Sequence, residues 1–92
     1  MMKIPKQIKV GGHVIKVRFD EGLLLKSECQ GKFSPLNQEI IIDPKARSIG
    51  VTFIQEILEA LDTTYDLDMP HHTISVLGEG IYQVFNDNNF LK

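Results

Sequence analysis

The chain has 92 residues, 42% apolar and 24% charged, a composition typical of one globular domain and not of a disordered chain. Ten basic and twelve acidic side chains leave a formal net charge of −2, which gives no reason to expect a nucleic acid or an anionic membrane as partner. The single cysteine excludes an internal disulfide, and the absence of an export signal or a long apolar run favours a cytoplasmic location.

The first two predicted elements are the strands of a hairpin. Apolar and polar residues alternate through QIKV at 7–10 and IKVRF at 15–19, which is the period of strands with one face toward solvent. Gly11 and Gly12 between them suit the positive-φ positions of a tight turn. The next segment, DEGLLLKSEC at 20–29, fits either a strand or a short helix.

A second hairpin is predicted beyond that segment. The turn residues SPLN at 34–37 separate one strand, Gly31–Phe33, from another, Glu39–Asp43. Three consecutive isoleucines at 40–42 indicate a strand that is covered on both faces.

Two helices are predicted after the strands, at about 48–66 and 71–87. Apolar residues from Phe53 to Tyr65 recur at helical spacing in the first. Pro70 follows a break in the chain and suits the first turn of the second. The apolar face of that second helix is formed by Ile74, Leu77, Ile81, Val84 and Phe85, with Gly78 and Gly80 permitting close backbone approach.

These elements predict one α+β domain over residues 1–92. Its strands lie mainly within 7–43 and form a small, hairpin-rich antiparallel sheet. Two antiparallel helices follow the sheet.

Polar residues on the first long helix form the candidate site. Gln55 and Glu59 are four residues apart, so their side chains lie one above the other on the same face, with Glu56 beside them. A solvated helix face accounts for this pattern, and so does a ligand set completed by His71 or His72 at the start of the second helix.

Three segments carry a resemblance to a known family: GKFSPLNQEIIIDP at 31–44, QEILEAL at 55–61 and IYQVFNDN at 81–88. They resemble the strand-turn-strand, the active-site helix and the last helix of small phage and prophage zincin-like metallopeptidases. The active-site helix of that family reads His-Glu-Ile-x-Glu/His-Ala-Leu. The resemblance covers roughly residues 30–90 and implies a zincin-like fold.

The resemblance also implies a role for each matching residue. Gln55 stands at the position of the first histidine ligand, and Glu56 matches the general base. Glu59 occupies the second ligand position, where the family has Glu or His. His71 matches the histidine that opens the last helix and is the implied third ligand.

The outright departure from the family pattern is Gln55. Its amide oxygen is a poor ligand for zinc and leaves a single nitrogen in the ligand set, so we expect no cofactor, or zinc that is weakly held. His72, next to the implied third ligand, and Glu79 are further candidates for the site.

Two functions follow from the resemblance. The first is a non-catalytic phage or prophage-type zincin-like protein that acts as a binding or regulatory module for a protein partner. The second is a metal-dependent peptidase or metal-binding protein that uses Glu59 and His71, with Glu56 as general base. An unrelated small binding domain is the third alternative.

Overall fold

The computed structural model describes residues 3–90, which form a four-stranded sheet, one short helix and two long helices. In chain order the elements are β1 Gln7–Val10, β2 His13–Phe19, α1 Leu23–Ser27, β3 Gly31–Ser34, β4 Glu39–Ile42, α2 Ile49–Tyr65 and α3 His71–Asp87. The predicted α+β class is confirmed. The segment that fitted either a strand or a helix contains α1. Within residues 3–90, no helix combines the length and apolar character needed to cross a bilayer.

The strand order of the sheet is β1-β2-β4-β3. Both predicted hairpins are confirmed, and the first turns at Gly11 with a φ of 59°. Gly12 does not have the positive φ that was expected of it. The expectation of a wholly antiparallel sheet is wrong, because β2 and β4 pair in parallel with Val17 opposite Ile40. A simple meander would leave the three isoleucines of β4 on an edge strand. Placing β4 inside the sheet, with β3 outside it, buries those side chains and makes β4 parallel to β2.

The hydrophobic core lies between the sheet and α2. Ile40 and Ile42 of β4 are fully buried in one cluster with Phe53 and Ala60 of α2. Ile41 points to the opposite face of the sheet, because successive strand residues alternate, yet it is only 8% exposed. The central strand is therefore covered on both faces, as its apolar run indicated.

The two long helices pack antiparallel. Gly50 near the start of α2 lies against Tyr82 near the end of α3, and Gln55 in the middle of α2 lies against Gly78. A β-carbon at either glycine would overlap the facing side chain, so both glycines permit the close approach. The predicted antiparallel helix pair and the predicted role of Gly78 are confirmed.

The predicted apolar face of α3 is covered only in part. The helix makes its substantial contacts with α2 alone and leaves Leu77, Val84 and Phe85 exposed. Gly80, predicted to permit close approach, has no atom within 4 Å of the place of its missing β-carbon, so that expectation is wrong for contacts within residues 3–90. The reason is the layer order: α2 occupies the sheet, so α3 can cover only the outer side of α2.

Candidate functional site

The candidate site is a cavity of about 450 Å³ between α2, α3 and the segment that joins α1 to β3. Four of the predicted site residues line it, namely Gln55, Glu56, His71 and Glu79. Glu59 and His72 are not part of its lining. The antiparallel packing of the helices brings the start of α3 to the same cavity as the middle of α2.

α2 is held in place at its first turn by Ser48. The Ser48 hydroxyl accepts a hydrogen bond from the backbone N–H of Val51 at 3.2 Å, which satisfies one of the free donors of the helix start. Two turns further along, Gln55 and Glu56 reach the cavity on adjacent faces of the helix.

Gln55 ties the two helices together. Its side-chain Nε2 donates a hydrogen bond to the backbone carbonyl oxygen of Ser75 at 3.0 Å, and its side-chain carbons lie against Gly78. The residue at the family's first ligand position therefore forms an interhelical link in this structure.

The cavity does not fit a zinc ion. His71 is the single imidazole in its lining, and the amide nitrogen of Gln55 is bonded to α3. Among residues 3–90, no three side chains of His, Cys, Asp or Glu are grouped so that they could hold a metal ion. A catalytic zinc site requires three protein ligands and an open fourth position.

Glu56 carries the strongest electrostatic perturbation of the cavity. Loss of water around its carboxyl group is the main cause, and the negative charge of Glu59 adds to it; together they raise the pKa of Glu56 from 4.5 to about 7. Its Oε2 lies beside Gly31, where a β-carbon would come within 3.2 Å. Glu56 therefore changes its protonation state close to neutral pH, and in its protonated form it can donate a hydrogen bond as well as accept one.

The wall opposite the helices comes from residues that the sequence reasoning missed. Cys29 and Gln30 line the cavity, and the Gln30 side-chain oxygen accepts a hydrogen bond from the backbone N–H of Arg47 at 2.7 Å. No motif marks these residues in the sequence, because the wall exists only once β3 has paired with β4.

Asp43 positions that wall. Its carboxylate is fully buried and accepts hydrogen bonds from the backbone N–H groups of Lys45 at 2.8 Å and Leu24 at 2.9 Å. These two donors hold the pKa of Asp43 below its usual value of 3.8. A single carboxylate thereby joins α1 to the loop that leads into α2.

β3 is an edge strand whose outer edge starts at the cavity. Gln30 accepts a backbone hydrogen bond from Asp43, so in the antiparallel register Lys32 and Ser34 direct their backbone groups toward β4. Gly31 and Phe33 direct their backbone N–H and C=O groups away from β4, and within residues 3–90 no strand lies on that side of β3 to pair with these groups. Since Gly31 also lines the cavity, a chain paired along β3 would pass next to Glu56.

No model of a known protein family, no curated protein and no solved structure matches the chain. The site itself is an edge strand beside a cavity, with a desolvated carboxyl group on the helix that packs against that strand.

Proposed function

We propose that the protein is a non-catalytic zincin-like module that binds an extended segment of a protein partner along β3, with one side chain of that segment in the cavity. The observation that carries the proposal is the outer edge of β3, where Gly31 and Phe33 offer backbone groups beside the cavity. Added strands of this kind bind through their main chain, and neighbouring pockets supply specificity. The phage setting, which rests on the resemblance, and the cytoplasmic location, which rests on the cysteine usage of the sequence, belong to the same proposal.

The state of Gln55 supports a function without catalysis. A zinc hydrolase requires its ligand at this position to be directed at the metal, whereas here the amide is bonded to Ser75 of the facing helix. Releasing the amide would break this partly buried hydrogen bond between α2 and α3.

The alternative is a metal-dependent peptidase, and one observation favours it. A pKa of about 7 suits Glu56 to the role of general base at neutral pH. The two functions differ in what happens to the peptide: a peptidase cleaves it, whereas a binding module releases it intact.

Selection from a random library of short displayed peptides tests the proposal, with the purified protein in the presence of a chelator. A selected peptide should shift the backbone amide signals of Gly31 and Phe33 and those of the cavity lining in NMR spectra. Mass spectrometry should find it intact after incubation with the protein, with or without added zinc. Zinc-dependent cleavage would establish the peptidase instead.

Two N-methylated forms of the selected peptide provide the matched control. Alternate residues of an added strand donate to β3, so methylating the backbone nitrogens of one alternate set should abolish binding, and methylating the other set should leave it unchanged. Equal effects of the two sets, or shifts confined to another surface, would rule out pairing along β3.

A further inference from the structure

One flank of α3 is apolar although no described element covers it. Residues at spacings of three and four form a single stripe along the helix, and we call this the outer stripe: Thr73, Val76, Leu77, Gly80 and Val84. The outer stripe adjoins the side of the helix with Ile74 and Gly78, which is buried against α2, because Leu77 follows Ile74 by three residues. Val76, Leu77 and Val84 are 51%, 41% and 44% exposed, so the apolar face of α3 is wider than the part that α2 covers.

Gly80 lies at the centre of the outer stripe. Glycine in the middle of a helix lowers its stability, and no atom within 4 Å of the missing β-carbon explains its presence here. A residue without a side chain, flanked by Leu77 and Val84 one turn away on either side, leaves a shallow depression that a second helix can approach closely. The shape of the outer stripe therefore favours a helix as its partner.

The two ends of α3 carry complementary charges for an antiparallel helix. Its first turn contains no acidic residue, and Pro70 at the cap position provides no side-chain hydrogen bond, so the N–H groups of the helix start lack an anionic partner. Its last turn contains Asp87 and no basic residue, which places a negative charge at the negative end of the helix dipole. A second α3 running antiparallel would place each Asp87 near the start of the other helix, which is favourable for both.

We propose that two copies of this chain associate through the outer stripe, with the two α3 helices antiparallel about a two-fold axis next to Gly80. Such an axis places Leu77 of each copy against Val84 of the other, so one apolar surface serves both copies, as a two-fold interface requires. None of the outer stripe lines the cavity beside β3, so a dimer leaves that site accessible.

The size of the outer stripe is that of a weak, transient interface. Stable interfaces bury about 800 Å² on each partner, and the whole surface of the described chain is 6294 Å². One face of a helix of 17 residues, about 25 Å long, supplies less than that area. We therefore expect a dissociation constant on the order of 10–100 μM.

Sedimentation velocity from about 5 to about 500 μM, which brackets that range, tests the proposal. The wild-type mass should rise from the 10.4 kDa of one chain toward twice that value. Val84→Glu should remain monomeric throughout, with an unchanged circular dichroism spectrum. Val14→Glu is the matched control, because Val14 is 46% exposed on β2 and Val84 is 44% exposed on α3; this variant should dimerise like the wild type.

A cross-linking experiment tests the axis independently and does not depend on a charge in the interface. With Cys29 replaced by serine, Gly80→Cys should form a disulfide-linked dimer under mild oxidation much faster than Val14→Cys, because a residue on a two-fold axis meets itself. A wild-type protein that stays at 10.4 kDa up to the highest concentration overturns the proposal, and so does a Val84→Glu variant that still dimerises. Equal cross-linking rates at positions 80 and 14 would overturn the antiparallel arrangement.

Discussion

Replacing Glu56 by glutamine should stabilise the protein at neutral and alkaline pH. Glutamine has nearly the same shape as protonated glutamate and no charge, so it removes the ionised carboxylate and keeps the packing. Burial is the first cause of the raised pKa of Glu56 and the charge of Glu59 the second, and both act against the ionised form.

The size of the effect follows from the two pKa values. In the unfolded chain Glu56 titrates near its usual pKa of 4.5, and in the folded protein near about 7. Between these values the folded state binds more protons than the unfolded state, so the wild-type free energy of unfolding falls as the pH rises from 4.5 to 7 and then levels off. The difference between the two pKa values corresponds to a loss of at most about 3 kcal/mol of wild-type stability at alkaline pH. Glu56→Gln avoids this loss, so for a domain of this size its melting temperature should be higher than that of the wild type by roughly 10 °C or more.

Urea unfolding of the wild type and Glu56→Gln at a series of pH values between 4 and 8 measures this difference. The two proteins should have similar stability at the acid end, and the variant should become progressively more stable toward pH 8. Glu79→Gln is the control, since it removes an exposed carboxylate from the same cavity. A stability difference that does not change with pH, or a wild type that is more stable than the variant at pH 8, would refute the burial of an ionisable Glu56.

Three further substitutions test the framework of the site. Gly78→Ala should destabilise the protein by about 1–3 kcal/mol in urea unfolding, because its β-carbon would overlap Gln55; Gly80→Ala, its control in open space, should stabilise it by up to about 1 kcal/mol. Ser48→Ala should cost about 1 kcal/mol, seen as a melting temperature lower by about 4–8 °C, through loss of the cap of α2. Asp43→Asn should destabilise the protein at pH 7, because the lowered pKa of Asp43 gives stability that is present above pH 3.8 and lost below it. In the variant the free energy of unfolding should therefore fall less steeply as the pH is lowered into the acid range. An unchanged pH dependence in that range would contradict this.

The parts of the fold that were predictable from the sequence depend on neighbouring residues. The Gly11-Gly12 turn and the helical spacing of α2 are local signals, and both elements form where they were expected. The parallel pairing of β2 with β4 was not predictable in this way, since it depends on which of two distant strands occupies the centre of the sheet.

The candidate site shows the same division between local and distant causes. The spacing of Gln55 and Glu59, with Glu56 beside them, indicated a polar feature on α2; Gln55 and Glu56 line a cavity, whereas Glu59 does not. The bond from Gln55 to Ser75 depends on the packing of α3, and the raised pKa of Glu56 depends on the closeness of β3. The sequence of α2 shows which polar side chains share a face of the helix. Whether those side chains lose their water depends on the elements that pack against the helix, which the local sequence does not show.

Protonation of Glu56 connects the cavity with the binding of a peptide. A carboxylate that serves as the base of a metal site is stabilised by a nearby cation. Within residues 3–90, no cation is paired with Glu56, and the neighbouring Glu59 adds a further negative charge. Accepting a proton is the way this carboxyl group loses its charge, and the neutral form gains a hydrogen-bond donor. A peptide carbonyl next to Gly31 could accept a hydrogen bond from protonated Glu56. The ionised carboxylate has no proton to donate to that carbonyl. We therefore expect a peptide bound along β3 to stabilise the protonated form of Glu56. The affinity of the wild type for the peptide should then fall as the pH rises above 7, whereas that of Glu56→Gln should stay constant.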